Sequence, residues 1–560
     1  MRKHLSVPIA GGTAAAIAAG LALTGCSSGS GPAAAICKPP PGTAARSIVG
    51  SPASPGSGGG PPNPAVAAGW TTTDGNLQST RDAASPITSS NVSRLGVAWT
   101  VPVGTSGGLG GYAATPVVVG GVVYTQDLES DVLAIQLATG KVLWRHDYHS
   151  GTGGPNGVAV AGGTVYAATA TGAVALQAAT GRQLWSRTLI RNSHEDFDMA
   201  PGYHNGTVYL STSPVTNHNE YVHGGKGTLY ALNAATGSIE WSWDEVQNLW
   251  GNAAVNSGGG LWYPPSFDAQ GNLYLGIANP APFGGAKGYP WGTSRPGPDL
   301  YTDSVVKLSP RGKLLWYYQL TPHDLYDWDL EDPPVLTTAN GQPVVIGGGK
   351  AGILVELSAQ TGRLLWQLPV GIHNRHDDDG LLAEHARTSS KLRLPASVCI
   401  YPGNFGGIES QLASNGSATF AAVNNLAMVQ HSESGPTLPG SASEQKMALL
   451  DATGEVVAVD QETGKLEWAR ELPSSPYGAV AVTNDVVFTT TFTGDLYALN
   501  AATGAILLKL PLSAGTNAPV IVDGDYVITG AGVPLAKNQH ALIIAYKLGA
   551  TGELPDTTGP

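Results

Sequence analysis

The chain has 560 residues, of which 42% are hydrophobic, 7% aromatic and only 12% charged, with 75 glycines and 40 prolines. That balance suits a large, loop-rich all-β protein with many buried sheets. A net charge of −12 argues against a nucleic-acid partner, whose phosphates need a basic surface.

In chain order, Arg2 and Lys3 precede an apolar run from Val7 to Leu23, which leads into Leu23-Thr24-Gly25-Cys26. This is the layout of an export signal. Leu-x-Gly-Cys resembles the bacterial lipobox, which implies cleavage, lipidation of Cys26 and anchoring to the outer face of the cell membrane. Residues 27–68 are mostly Gly, Pro, Ser and Ala, without apolar periodicity, and are expected to form a disordered tether. No later stretch is long and apolar enough to cross a bilayer. Cys37 and Cys399 are the other two cysteines, and the sequence leaves open whether they pair. It holds no Cys-x-x-Cys-His motif for covalent haem.

From about Trp70 to Leu548 the chain repeats itself. LAIQLATGKVLW ends at Trp144, VALQAATGRQLW at Trp185 and LYALNAATGSIEW at Trp241, with looser copies ending at Trp316, Trp366 and Trp468. A seventh copy, LYALNAATGAILL, has Leu508 at the tryptophan position. Each copy reads as a strand, a Thr-Gly turn in which glycine takes a positive φ, and a second strand. Gly140 to Gly181 is 41 residues and Gly464 to Gly504 is 40. A period near 40 made of short strands predicts a β-propeller of four-stranded antiparallel blades, the longer steps carrying inserted loops. Seven turn motifs give seven blades. The strands of residues 518–548 lack a closing tryptophan strand, and LGVAWTVPV (Leu95 to Val103) is such a strand without a turn before it. An eight-bladed ring closed by that N-terminal strand is therefore expected, with seven blades as the rival, over residues 69–550 and with a flexible tail at 551–560.

Residues 271–336 depart most from the repeat. ANPAP (278–282), RPGPDLYTDSVV (295–306) and YYQLTPHDLYDWD (317–329) resemble the quinoprotein alcohol dehydrogenases, which use pyrroloquinoline quinone (PQQ) in an eight-bladed propeller. The repeat itself is shared with non-catalytic assembly-factor lipoproteins. The dehydrogenase resemblance implies Asn279 as a metal-binding asparagine and Asp327 as the catalytic base and a metal ligand. It implies Lys350 touching the quinone oxygen, Trp262 beneath the flat cofactor and Tyr477 covering it. Ser213 corresponds to a cofactor-binding serine and Glu220, with a shifted gap, to a metal-binding glutamate. Asp329 stands where lanthanide-using subfamilies carry an extra aspartate, so Ca²⁺ or a lanthanide is implied. The implied substrate is an alcohol or sugar hydroxyl, with electrons passed to a separate acceptor.

The chemistry is coherent. Carboxylate and amide oxygens suit a hard cation, the cation polarises a carbonyl, and a carboxylate takes the hydroxyl proton. Four positions depart from the family: Gly153-Gly154 in place of adjacent cysteines, Asn156 for an arginine, Ala113 for a glutamate and Asp198 for a threonine. The losses remove charge-assisted contacts to a tricarboxylate. A non-catalytic envelope propeller that binds protein partners is the competing expectation. The acid- and histidine-rich stretches 194–198 and 373–380 are expected to be solvated insertion loops. The repeated tryptophans are expected to be structural.

Overall fold

The computed structural model describes residues 37, 69–104, 110–217, 220–388, 394–437 and 450–555. Cys26 and nearly all of the expected tether lie outside them. Eight four-stranded antiparallel sheets account for the described repeat. The first pairs Val117–Val119, Val122–Gln126, Val132–Gln136 and Val142–His146 in sequence order. Six more follow over residues 158–188, 202–244, 266–319, 335–369, 413–472 and 481–511. The eighth joins Ile521–Asp523, Tyr526–Ala531 and Leu542–Leu548 to the N-terminal strand Leu95–Pro102, with Leu95 opposite Leu548. The tail is paired at its start, since Gly552 N donates to Val97 O at 3.1 Å.

The Thr-Gly turn, or Arg311-Gly312 in the sheet over 266–319, joins the third strand to the fourth in seven sheets, and each time the fourth strand's register slips by one residue near the turn. That bulge sharpens the local twist. The turn glycine serves a second purpose. A Cβ on Gly140, Gly181, Gly237, Gly312, Gly362, Gly464 or Gly504 would lie 2.5–2.7 Å from an indole ring of the preceding sheet. The rings belong to Trp99, Trp144, Trp185, Trp241, Trp316, Trp366 and Trp468 in that order. Each indole Nε1 also donates to a main-chain carbonyl beside that turn, at 2.7–3.2 Å. The tryptophans are thus sheet-to-sheet struts. Leu508 takes this place on the seventh sheet and packs into the core shared with the eighth.

Residues 69–83, which show no strand periodicity, bond to the innermost strands of most sheets. Trp70 N donates to Asp523 Oδ1 at 2.9 Å, and Trp70 O accepts from Val118 N at 2.7 Å. The carbonyls of Leu77, Gln78, Thr80 and Arg81 accept from Phe267, Leu336, Ser414 and Val482 at 2.7–2.9 Å. Arg81, fully buried, donates to Val480 O (2.7 Å) and Val520 O (2.6 Å) and pairs with Asp74 (3.3 Å). One segment therefore ties the inner strands of six sheets together.

Two glycines separate the strut from backbone strain. Gly120 (φ 60°) has open space around its Cβ position, whereas Gly181 (φ 70°) faces the Trp144 ring at 2.6 Å. Gly120→Ala should cost about 1–2 kcal/mol of left-handed strain. Gly181→Ala should cost about 1–3 kcal/mol more, from overpacking against the indole. Urea denaturation of both variants measures the difference; equal losses would show that the ring contact carries no weight.

Candidate active site

The candidate site forms where loops leave the inner ends of the fourth, fifth and sixth sheets. Asp324, fully buried, accepts from Tyr326 N and Trp328 N at 2.9 Å each, which curls the loop after strand Leu314–Gln319. Asp327 then adopts φ 63°, a left-handed conformation uncommon for a non-glycine residue and frequent at functional sites. Arg295, of the RPGPD phrase, is completely buried. It bonds Asp299 Oδ2 (3.0 Å), Asp324 O (2.7 Å) and Pro282 O, so it pins the Asp327 loop to the loop after Asn279. Sequence reasoning quoted this motif without seeing the role of its arginine.

Lys350 enters from the next sheet. A Cβ on Gly349 would lie 2.0 Å from Asp329 O, so glycine there allows the close approach in which Lys350 N donates to that same oxygen at 2.9 Å. The Lys350 ammonium contacts Asp329 Oδ2, lies 3.5 Å from Asp327 Oδ2 and 4.0 Å from Glu331 Oε2. Asp329 Oδ1 accepts from Asn279 N at 2.5 Å, and Asn279 Oδ1 accepts from Tyr221 OH at 3.0 Å. Asn279, Asp327, Asp329 and Lys350 are thus brought together, all at least nine-tenths buried. Lys350 is no solvated surface charge.

The electrostatics follow from one cation among many acids. Burial alone would lower the Lys350 ammonium, but Asp327, Asp329, Glu331 and Glu409 hold it well above the ordinary lysine value. Burial pushes the Asp327 carboxyl well up, against the pull of Lys350 and with the added repulsion of Asp329. Glu409, which the sequence did not single out, is pushed by burial to about 8. Tyr477 and Tyr263 are fixed nearby: Tyr477 OH donates to Phe405 O at 2.8 Å, and Tyr263 OH lies 3.5 Å from Glu409 O. Tyr477 also packs edge-on against Phe492, so it braces its own sheet. The half-buried Trp262 has its Nε1 buried without a hydrogen-bond partner.

The Ser213 end differs. Ser213 Oγ lies 3.0 Å from both Asp196 Oδ1 and Asp198 Oδ2, and Asp198 Oδ1 accepts from Gly153 N at 2.6 Å. One hydroxyl hydrogen cannot serve two carboxylates. Burial pushes both acids up, and for Asp196 the neighbouring Asp198 charge adds to it, so the pair takes up a proton more readily than free carboxylates do. The expectation of a solvated loop at 194–198 is corrected: Glu195, Phe197 and Asp198 are buried, because the stretch folds under Ser213. A Cβ on Gly260 would lie 3.1 Å from Ser213 Cβ, which brings the Trp262 loop against this end. Asn156 Nδ2 is turned to Asp127 O at 2.6 Å, and Ala113 packs on Leu128, so both departures hold the scaffold. Glu220 pairs through its backbone with Asn217, but its side chain lies outside the described residues.

The 373–380 stretch is only partly solvated. His376 Nδ1 lies 2.7 Å from Asp379 Oδ2, which also bonds Tyr326 OH, so this insertion braces the loop that carries Asp327. Cys37 and Cys399 form a disulfide. Among the described residues no three His, Cys, Asp or Glu side chains are arranged to hold a metal ion. The oxygens of Asp327, Asp329 and Asn279 are nonetheless the hard donors a Ca²⁺ or lanthanide ion takes, and the acids outnumber the lysine. Trp262, with its orphan Nε1, and Lys350 suit a flat quinone. Beside Ser213, ionised Asp196 and Asp198 would repel the anionic groups of a tricarboxylate.

Comparison with known proteins finds similarity along most of the chain. The model of the glucose/ethanol/alcohol dehydrogenase β-propeller domain matches residues 70–173 and 197–370. That of the outer membrane protein assembly factor BamB matches 128–260 and 452–547. The quinohemoprotein alcohol dehydrogenase of Comamonas testosteroni is 28% identical over 79% of this chain and 68% of its own. The putative dehydrogenase XoxF of Paracoccus denitrificans is 26% identical over 80% and 83%. Among solved structures, the quinohemoprotein alcohol dehydrogenase ADHIIG of Pseudomonas putida superposes with a TM-score of 0.74, at 22% identity over 88% of this chain and 82% of that one. A europium-containing methanol dehydrogenase gives 0.69, at 20% identity over 86% and 98%. The chain belongs to the PQQ-like β-propeller family.

Glu245 lies beneath the Trp262 loop, accepting from Ser211 Oγ and Gly260 N at 2.5 Å each, and burial pushes its carboxyl to about 8. Between about pH 4.5 and 8 the unfolded chain releases a proton that the folded chain keeps, so this group lowers stability as pH rises. Glu245→Gln should flatten the fall in urea midpoint across that window relative to wild type. An unchanged slope would contradict the assignment.

Proposed function

We propose that this chain is an exported, lipid-anchored quinoprotein dehydrogenase that oxidises an alcohol or sugar hydroxyl. In this reading the eight sheets close into one eight-bladed propeller, the N-terminal strand completing the last blade. The observation that carries it is the meeting of Asn279, Asp327 and Asp329 around Lys350. That stretch is matched by the dehydrogenase model and lies outside the residues matched by the assembly-factor model. A protein-binding scaffold needs the tryptophan struts but has no use for a buried acid–lysine cluster, whose desolvation is costly.

Asp327, Asp329 and Asn279 would hold Ca²⁺ or a lanthanide, and Trp262, Lys350, Ser213 and Tyr477 would hold PQQ. PQQ, when bound, supplies a two-electron acceptor for the hydride of the substrate carbon. Asp327 would take the hydroxyl proton as general base, with the Lys350 ammonium 3.5 Å from its Oδ2 favouring the ionised carboxylate. Lys350 holds Asp327 and Asp329 in place and opposes negative charge that grows beside them. The buried walls of Tyr221, Tyr263 and Tyr477 keep water from the cluster.

The test is dye-linked oxidation of short alcohols and aldoses by the purified protein supplied with PQQ and Ca²⁺ or La³⁺. Turnover should fall about 10²–10⁴-fold in Asp327→Asn with quinone absorbance retained. Full activity in that variant would refute the base, and no turnover of wild type under either metal would refute the dehydrogenase. Asp329→Ala should reduce La³⁺-supported turnover far more than Ca²⁺-supported turnover; equal losses would count against its metal-selecting role.

A further inference from the structure

Cys37, held by the disulfide, and Gly69, at the start of the 69–83 segment, lie on opposite faces of the molecule. Gly69 and Trp70 enter at the hairpin-turn face: Trp70 bonds Asp523, beside the turn at Gly524, and Val118, beside the turn at Gly120. The candidate site lies at the other ends of the strands. Glu331 and Asp332 precede Val335–Ala339, whereas the turn at Asn340–Gly341 follows it. Cys399 belongs to the site face. Its strand Ser397–Ile400 runs into the loop whose Pro402 O accepts from Trp328 Nε1 at 3.1 Å, between Asp327 and Asp329. Phe405 O, in the same loop, accepts from Tyr477 OH. Cys37 is bonded to Cys399 and is therefore pinned on the site face.

We infer that the disulfide turns the site face toward the lipid surface. This rests on the proposed lipidation of Cys26. Cys37 follows Cys26 by 11 residues, which span at most roughly 38 Å, whereas Gly69 follows it by 43 residues, which span up to roughly 150 Å. The bond thus shortens the leash about fourfold and moves its attachment from the turn face to the site face. With the turn face down, those eleven residues would have to stretch around the rim. A covalent tie is needed because a chain of net charge −12 gains no attraction from an anionic bilayer. The partner surface is the lipid headgroup layer.

The test uses the full chain in membranes of the cells that express it. A fluorophore is placed on the site face through Asp378→Cys or on the turn face through Lys141→Cys, and energy transfer to an acceptor lipid is measured. Transfer should be stronger from position 378 in the disulfide-bonded chain. The difference should collapse in the double variant Cys37→Ser, Cys399→Ser, which should stay in the membrane fraction with native circular dichroism. Equal transfer from both positions in the disulfide-bonded chain, or a difference that survives the double variant, overturns the orientation. If the variant does not fold, reduction of the disulfide in the intact membrane replaces it, with the same two outcomes. A chain without lipid mass at Cys26, recovered in the soluble fraction, overturns the anchoring and this inference with it, while leaving the dye-linked assay of the site unaffected.

Discussion

The indole of one sheet seated on the turn glycine of the next is the interaction on which the rest of the molecule depends. Sheets packed face to face slide easily over apolar surfaces, since hydrophobic contact has no direction. An indole that fits only where a Cβ is missing, and that also donates to a carbonyl of the same turn, removes that freedom. Repeated from Trp99 to Trp468, it sets sheet after sheet at one spacing. Residues 69–83, bonded to six inner strands, fix the other margin.

With the sheets held at both margins, irregular loops can be placed accurately. The Asp327 loop is curled by Asp324, braced by Arg295 and backed by Tyr326 and Asp379, and all four of these side chains are buried. The buried acids around Lys350 are costly to desolvate, and a scaffold of this rigidity lets them persist. The conformation of Asp327 belongs to the same account. Strained backbone survives where its surroundings over-determine it.

Much of this was legible in the residues. The Thr-Gly turn and its tryptophan gave period, strand order and the pairing of Leu95–Pro102 with the last strand, because a hairpin turn and a large aromatic leave local marks. The meeting of Asn279, Asp327, Asp329 and Lys350 was also foreseen, through motif resemblance rather than periodicity. Other features left no such mark. TTTDGNLQSTRD has neither alternation nor a cap pattern, since its bonds run to strands hundreds of residues away. Arg295 and Glu409 act through burial that only the assembled sheets create. Asp196 and Asp198 read as charges for solvent because their partner, Ser213, approaches from across a hairpin. The Cys37–Cys399 bond joins residues 362 apart, beyond the reach of any local pattern.

What unites the fold, the acid–lysine cluster and the departures at Asn156, Ala113 and Asp198 is whether this pocket still grips the quinone. Titration calorimetry of the purified chain with PQQ, with and without Ca²⁺ or La³⁺, measures that directly. The account predicts one PQQ per chain when a cation is present, with affinity falling as pH rises and the Asp196–Asp198 pair loses its proton. No heat of binding under either cation, with the protein folded, would contradict it.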